Sequence, residues 1–142
     1  DSTSWSVGNG QSVVVFVNGS LTIRQRINIT GTGFVAFIVN GNITVDPTVG
    51  VPWSSSTPVL EGIYMTSPTG TFSTGDSSNA GTERFTGEGI FVAGGFQMQR
   101  DLDNSGHNDD TAAELFTYNP QLLVTMPDGM RDIPVTWQEV AP

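Results

Sequence analysis

The sequence predicts an all-β protein, a short right-handed parallel β-helix of about four wraps with an irregular C-terminal cap. Three observations predict it. Helix-filling residues are scarce: lysine is absent, while glycine takes 17 and proline 8 of 142 positions. A strand-sized apolar motif recurs along the chain. Each copy carries a glycine where an apolar run gives way to an alternating one.

The first two copies, Val13–Ile23 and Val35–Val45, superpose without a gap at an offset of 22, both reading φ-φ-V-N-G-x-φ-T-φ. A third, Gly89–Gln99, places Val92 on Val39, Gly94 on Gly41, Phe96 on Ile43 and Met98 on Val45. Between them Gly62–Phe72 fits when Ser67-Pro68-Thr69 is an insertion, which places Met65 on Val39 and Phe72 on Ile43. The steps from Val17 to Val39, Met65 and Val92 are then 22, 26 and 27 residues, a solenoid period. Glycine suits the bend because it tolerates positive φ. A third short strand per wrap falls at Ile27–Ile29 and Arg84–Thr86, and wraps of three strands stack at about 4.8 Å. Right-handedness follows the general rule for parallel crossovers. The competing architecture is a β-sandwich with N-G hairpin turns; the repeat argues against it, because hairpin strands have no reason to share a sequence at fixed period.

After Gln99 the repeat stops. A polar stretch from Arg100 leads to Ala112–Tyr118, Asn119–Pro127 and Ile133–Val140. Open-ended stacks need an atypical closing segment, so residues 100–142 are expected to cap wraps formed by residues 1–99 in the same domain, anchored by Trp137 and Tyr118.

Leu60-Glu-Gly-Ile-Tyr64, Phe85–Val92, Arg100-Asp-Leu102, Ala113–Pro120 and the ending Trp137-Gln-Glu-Val-Ala-Pro142 together resemble the C-terminal module of uncharacterised, predicted surface proteins of candidate phyla radiation bacteria. The resemblance spans roughly residues 35–142, and its most specific part is W-Q/R-E-V-A-P. It implies an exported location and a natural terminus at Pro142. It implies no activity. A first residue of Asp1 rather than Met points to a processed or trimmed chain.

Five arginines against 14 carboxylates give a net charge of −9, which repels phosphate backbones and anionic lipid. Nucleic acid is excluded as a partner. Apolar runs such as Val13–Val17 are strand-sized and far short of the roughly 20 residues that cross a bilayer as a helix, so no membrane insertion is expected. Without cysteine there is no disulfide, thiol nucleophile or Cys-based metal site. The single histidine, His107, has no second histidine or cysteine to complete a site and takes no role.

The candidate metal site is Asp101-Leu-Asp-Asn-Ser-Gly-His-Asn-Asp109, which opens like a calcium loop, with Asp101, Asp103, Ser105 and Asp109 as oxygen donors and Gly106 at the tight turn. Its twelfth position is Ala112 instead of the bidentate Glu, leaving Asp110 or Glu114 to substitute; the competing identity is a solvated acidic turn. Asn18, Asn28 and Asn42 begin N-x-S/T sequons and are candidate glycosylation sites. Glu61 and Glu88 precede corresponding strands and are the one carboxylate pair considered for glycoside chemistry, against the plainer identity of a polar edge. The Ser/Thr/Gly-rich stretches 53–58 and 73–82 read as loops on one side of successive wraps.

The function expected is an exported, non-catalytic structural module: a self-assembling cell-surface or extracellular filament or coat subunit, pairing with itself or a neighbouring surface protein through the uncovered strand at Val13–Val17. The alternative is a calcium-supported adhesin or carbohydrate-binding module that contacts sugar through Trp53 and Tyr64. No cofactor is required by the first, and Ca2+ by the second.

Overall fold

The computed structural model of the chain describes residues 4–75 and 83–131. Trp137, the rest of the terminal motif and residues 76–82 of the second Ser/Thr/Gly stretch lie outside the described residues. The strands are β1 (Ser4–Val7), β2 (Ser12–Val17), β3 (Leu21–Ile23), β4 (Arg26–Ile29), β5 (Phe34–Val39), β6 (Ile43–Val45), β7 (Val51–Pro52), β8 (Leu60–Thr66), β9 (Thr71–Ser73), β10 (Glu83–Val92), β11 (Gly95–Gln97) and β12 (Glu114–Tyr118). Two short helices follow, α1 (Gln121–Thr125) and α2 (Asp128–Arg131).

These strands do not form the expected parallel β-helix. They sort into two sheets of eight and four strands. The larger runs β1-β4-β8-β10-β12, with β2 against β5, β5 also against β8, and β7 antiparallel to β10; the smaller is β11-β9-β6-β3. A three-sided coil needs a third sheet. The segments expected to supply it, Ile27–Ile29 and Arg84–Thr86, instead lie in the larger sheet: β4 pairs with the start of β8 at Leu60, and Arg84–Thr86 runs on without a break into Val92 as β10. Nor is the segment after Gln99 irregular throughout, because β12 pairs in parallel with Phe85–Gly89.

The offset of 22 is the pairing register of the first layers: Val13 faces Val35, Val17 faces Val39, Leu21 faces Ile43 and Ile23 faces Val45. Phe72 faces Ile43 and Phe96, as aligned. Strand β8 departs by one residue, since Met65 faces Ile38 and it is Thr66 that faces Val39. A slip of one residue exchanges the two faces of a strand. Here it turns Tyr64 into the core, fully buried, and leaves Met65 on the outer face.

The core lies between the sheets. Val35, Phe37 and Val39 of β5 and Tyr64 of β8 meet Ile43, Val45 and Phe72 of the smaller sheet. In-register aromatics stack along it, Phe37 on Tyr64 with centroids 5.5 Å apart and Tyr64 on Phe91 at 5.2 Å, while Phe116, which faces Gly87, lies edge-on to Phe91 at 5.0 Å. Such pairs add about 1 kcal/mol each to the burial of their surface. On the other face of the larger sheet Phe34, Ala36 and Ile63 are covered by Leu122 of α1, with Met126 and Met130 beside it.

Candidate functional site at the open sheet edge

Strand β2 has one neighbour among the described strands, β5; β1 has only β4 and β3 only β6. The N–H of Phe34 donates to the carbonyl of Gln11 (2.9 Å) and that of Asn40 to the carbonyl of Val17 (2.8 Å), which fixes the phase of the β2–β5 ladder. In a parallel pair the bonded residues alternate. Val13, Val15 and Val17 therefore turn their backbone groups to β5, while the N–H and C=O groups of Ser12, Val14 and Phe16 point away from it.

Burial agrees. Strand β5 has five of six residues buried and β2, apolar at all positions but Ser12, has none. Phe16 is 74% exposed where Phe37, the inward ring of β5, is 7% exposed. The core opens to the surface at this end, in a cleft of about 350 Å³ lined by Trp5, Val15, Leu21, Ile23, Ile27 and Phe37.

Edge strands are ordinarily guarded by charge, proline or a bulge. Residues 4–23 contain neither a charged residue nor a proline, and every carboxylate side chain other than that of Asp1 lies at residue 46 or beyond. Polar ladders also begin at this edge. Asn40 donates from its side-chain amide to Asn18 Oδ1 (3.1 Å), and the Asn42 N–H donates to Ser20 Oγ (3.2 Å).

The structure closes the expected calcium loop on itself. Asn108 accepts from the Leu102 N–H (2.7 Å) and donates from Nδ2 to Asp101 Oδ1 (2.8 Å) and Asp103 Oδ1 (2.7 Å), so an amide stands between the two carboxylates. Asp101 also accepts from the Asp103 N–H, Ser105 Oγ donates to the Leu102 carbonyl, and Asp109 is exposed. Among the described residues no three acidic or histidine side chains gather as a metal site. His107 stacks on Trp53 with centroids 3.5 Å apart and meets Asp110 at 3.2 Å. Hydrogen bonds from His107 and then Thr111 hold the Asp110 pKa below its ordinary value.

Of the sequon asparagines, Asn18 and Asn42 are exposed at the bends and Asn28 is half-buried in β4; Asn42 Oδ1 accepts from the Thr71 N–H (3.0 Å). Glu61 and Glu88 are cross-strand neighbours. Glu61 accepts from the Ile29 N–H (2.9 Å) and Glu88 from the Asn119 amide (2.9 Å). Burial, reinforced by the Glu88 charge, raises the Glu61 pKa against the opposing Ile29 bond. The two rings expected to meet sugar are otherwise engaged. Tyr64 is fully buried, its hydroxyl donating to the Glu61 carbonyl (3.0 Å) and its pKa driven well up by burial, and one face of Trp53 is taken by His107.

One residue with a large structural role has no signal in the sequence. Arg100 is buried and donates to the carbonyls of Thr74 (2.7 Å), Pro47 (2.6 Å), Val49 (3.0 Å) and Asp46 (3.2 Å), joining the β6–β7 turn to the end of β9. Its burial lowers its pKa from the usual arginine value.

No protein-family model, curated protein or solved structure matches the chain.

Proposed function

We propose that the chain is an exported, non-catalytic structural module that enters a self-assembled surface or extracellular structure by strand pairing at its N-terminal sheet edge. The observation that carries this is the edge itself: three adjacent open strands, uncharged and proline-free, with the core exposed behind them. Unpaired strand edges of this kind template pairing with another chain. The surface location rests on the resemblance of residues 35–142 to modules of bacterial surface proteins, and the acidic, lysine-free composition accords with it.

Sedimentation and negative-stain microscopy of the wild type beside Phe16→Pro test the proposal. The Phe16 N–H points away from β5, so proline removes no bond of the fold and blocks only the edge. Species larger than one chain in the wild type, lost in the variant, are expected. A wild type that stays monomeric at every concentration, or assemblies indifferent to Phe16→Pro, overturns it.

A further inference from the structure

We infer that the occupant of this edge is a second copy of the chain, related by a two-fold axis through Val14, with the two β2 strands antiparallel. The inference rests on the docking role just proposed and specifies its partner and register.

Within β2 only Ser12, Val14 and Phe16 offer backbone groups outward, and in an antiparallel ladder outward groups must face outward groups. Setting Val14 against Val14 of the other copy also sets Ser12 against Phe16 and Phe16 against Ser12. All three residues of each strand are then bonded; a shift of one position either way leaves one unused. The register keeps faces consistent as well, because Val13 lies across from Val15 of the other copy and both pack toward the core. Val14, by contrast, packs with the outer cluster.

Charge does not oppose the same pairing. At a net charge of −9 copies repel one another, yet residues 4–23 bring no charge to the contact. The opposite edge is unsuited to receive the N-terminal edge of another copy. Strand β12 covers only Phe85–Gly89 of β10, which leaves Ile90–Val92 and β11 one strand short. Strand β1 of an incoming copy would collide with β12 before its β2 reached Ile90–Val92. That edge also begins on Glu114 and adjoins the loop bearing Asp101, Asp103, Asp109 and Asp110. The contact is isologous, so it closes at two chains.

The natural absence of cysteine makes cross-linking the direct test. Facing residues of a bonded antiparallel pair have Cα atoms about 5.5 Å apart, within disulfide reach. Under mild oxidation Val14→Cys should link to itself. Phe16→Cys should link to Ser12→Cys in a mixture but not to itself, since those two positions stand roughly 13 Å apart. Sedimentation should give the mass of two chains, lost in Phe16→Pro. The Ser12 and Phe16 pair keeps the test valid if Val14→Cys perturbs folding. Larger or differently linked assemblies that Phe16→Pro abolishes would overturn the two-fold register and leave the docking edge standing. A monomer throughout would overturn both.

Discussion

Gly70 lies so close to Gly41 that a Cβ added to it would stand 2.2 Å from the Gly41 carbonyl oxygen. The same contact recurs one layer earlier, where a Cβ on Gly41 would meet the Gly19 carbonyl at 2.6 Å. Of the four bend glycines, Gly19, Gly41, Gly70 and Gly94, only Gly19 has positive φ. Close approach of stacked backbones, and not the conformational freedom expected from the sequence, is what excludes a side chain at the other three. Gly70→Ala should therefore cost about 3 kcal/mol in urea unfolding. Gly95→Ala, whose Cβ would make an ordinary contact at 3.8 Å, should stay within about 0.5 kcal/mol of wild type. Equal effects would refute the stacking argument.

Phe37 and Phe16 are both aromatic residues of neighbouring strands with opposite surroundings. Phe37→Ala removes a ring stacked on Tyr64 and should lose about 3–5 kcal/mol. Phe16→Ala in the dissociated chain should lose about 0.5 kcal/mol or less. Chemical denaturation at low protein concentration reads both.

Arg100 donates to four carbonyls in a buried setting, and Met in its place would leave those acceptors without it. Arg100→Met should destabilise by about 3 kcal/mol or more, with Arg100→Lys intermediate because one ammonium cannot span the same acceptors. A hydrogen-exchange map should show the loss of protection concentrated at residues 46–50 and 74. A uniform loss would argue against the pinning role.

Glu61 has its pKa raised, chiefly by burial and further by Glu88. A raised carboxylate favours folding while protonated, so its contribution is full below the unfolded pKa of about 4.3 and is lost as pH rises through the folded value. Glu61→Gln keeps an acceptor for the Ile29 N–H and removes the buried charge. Its Tm should exceed that of wild type at pH 7, and the difference should vanish near pH 3. Asp46 runs the other way: hydrogen bonds from Thr48 lower its pKa, so its contribution is present above the unfolded value and lost as pH falls through the folded one. Asp46→Asn should thus lower Tm at pH 7 and converge with wild type in acid.

The Asn108 amide fills the gap between Asp101 and Asp103. Calcium at about millimolar concentration should leave the wild-type Tm unchanged, whereas a bound ligand would raise it by mass action. Asn108→Asp exchanges the donor for a third carboxylate and should create a calcium-dependent rise. A rise in the wild type itself would restore the metal loop as a working site.

Much of the candidate edge was legible beforehand. Val13–Val17 stood out as an uncovered strand, and the uncharged stretch around it is plain in the sequence. The closure of the acidic loop was not, because a D-x-D-x-S-G pattern does not say that an asparagine seven residues from Asp101 will reach back between its carboxylates. Arg100 left no trace either: its acceptors lie some 26 to 54 residues away along the chain.

By itself the sequence determined the strand–glycine–strand units and the register of the first two layers, because spacing without insertion lets identical residues stack. It also determined which β6 residues are inward, through the alternation Ile43-Thr44-Val45, whereas β5 is apolar throughout and carries no such signal. Only the tertiary structure decided the rest. Two sheets form in place of a coil because β8 and β10 continue without interruption through the positions where a third side would have to begin. Tyr64 rather than Met65 enters the core because β8 sits one residue off the alignment, and it is the stacking of its ring between Phe37 and Phe91 that the local pattern does not contain. Backbone pairing across long stretches of chain, and the packing it brings together, decide such choices, and neither is encoded in the residues immediately around them.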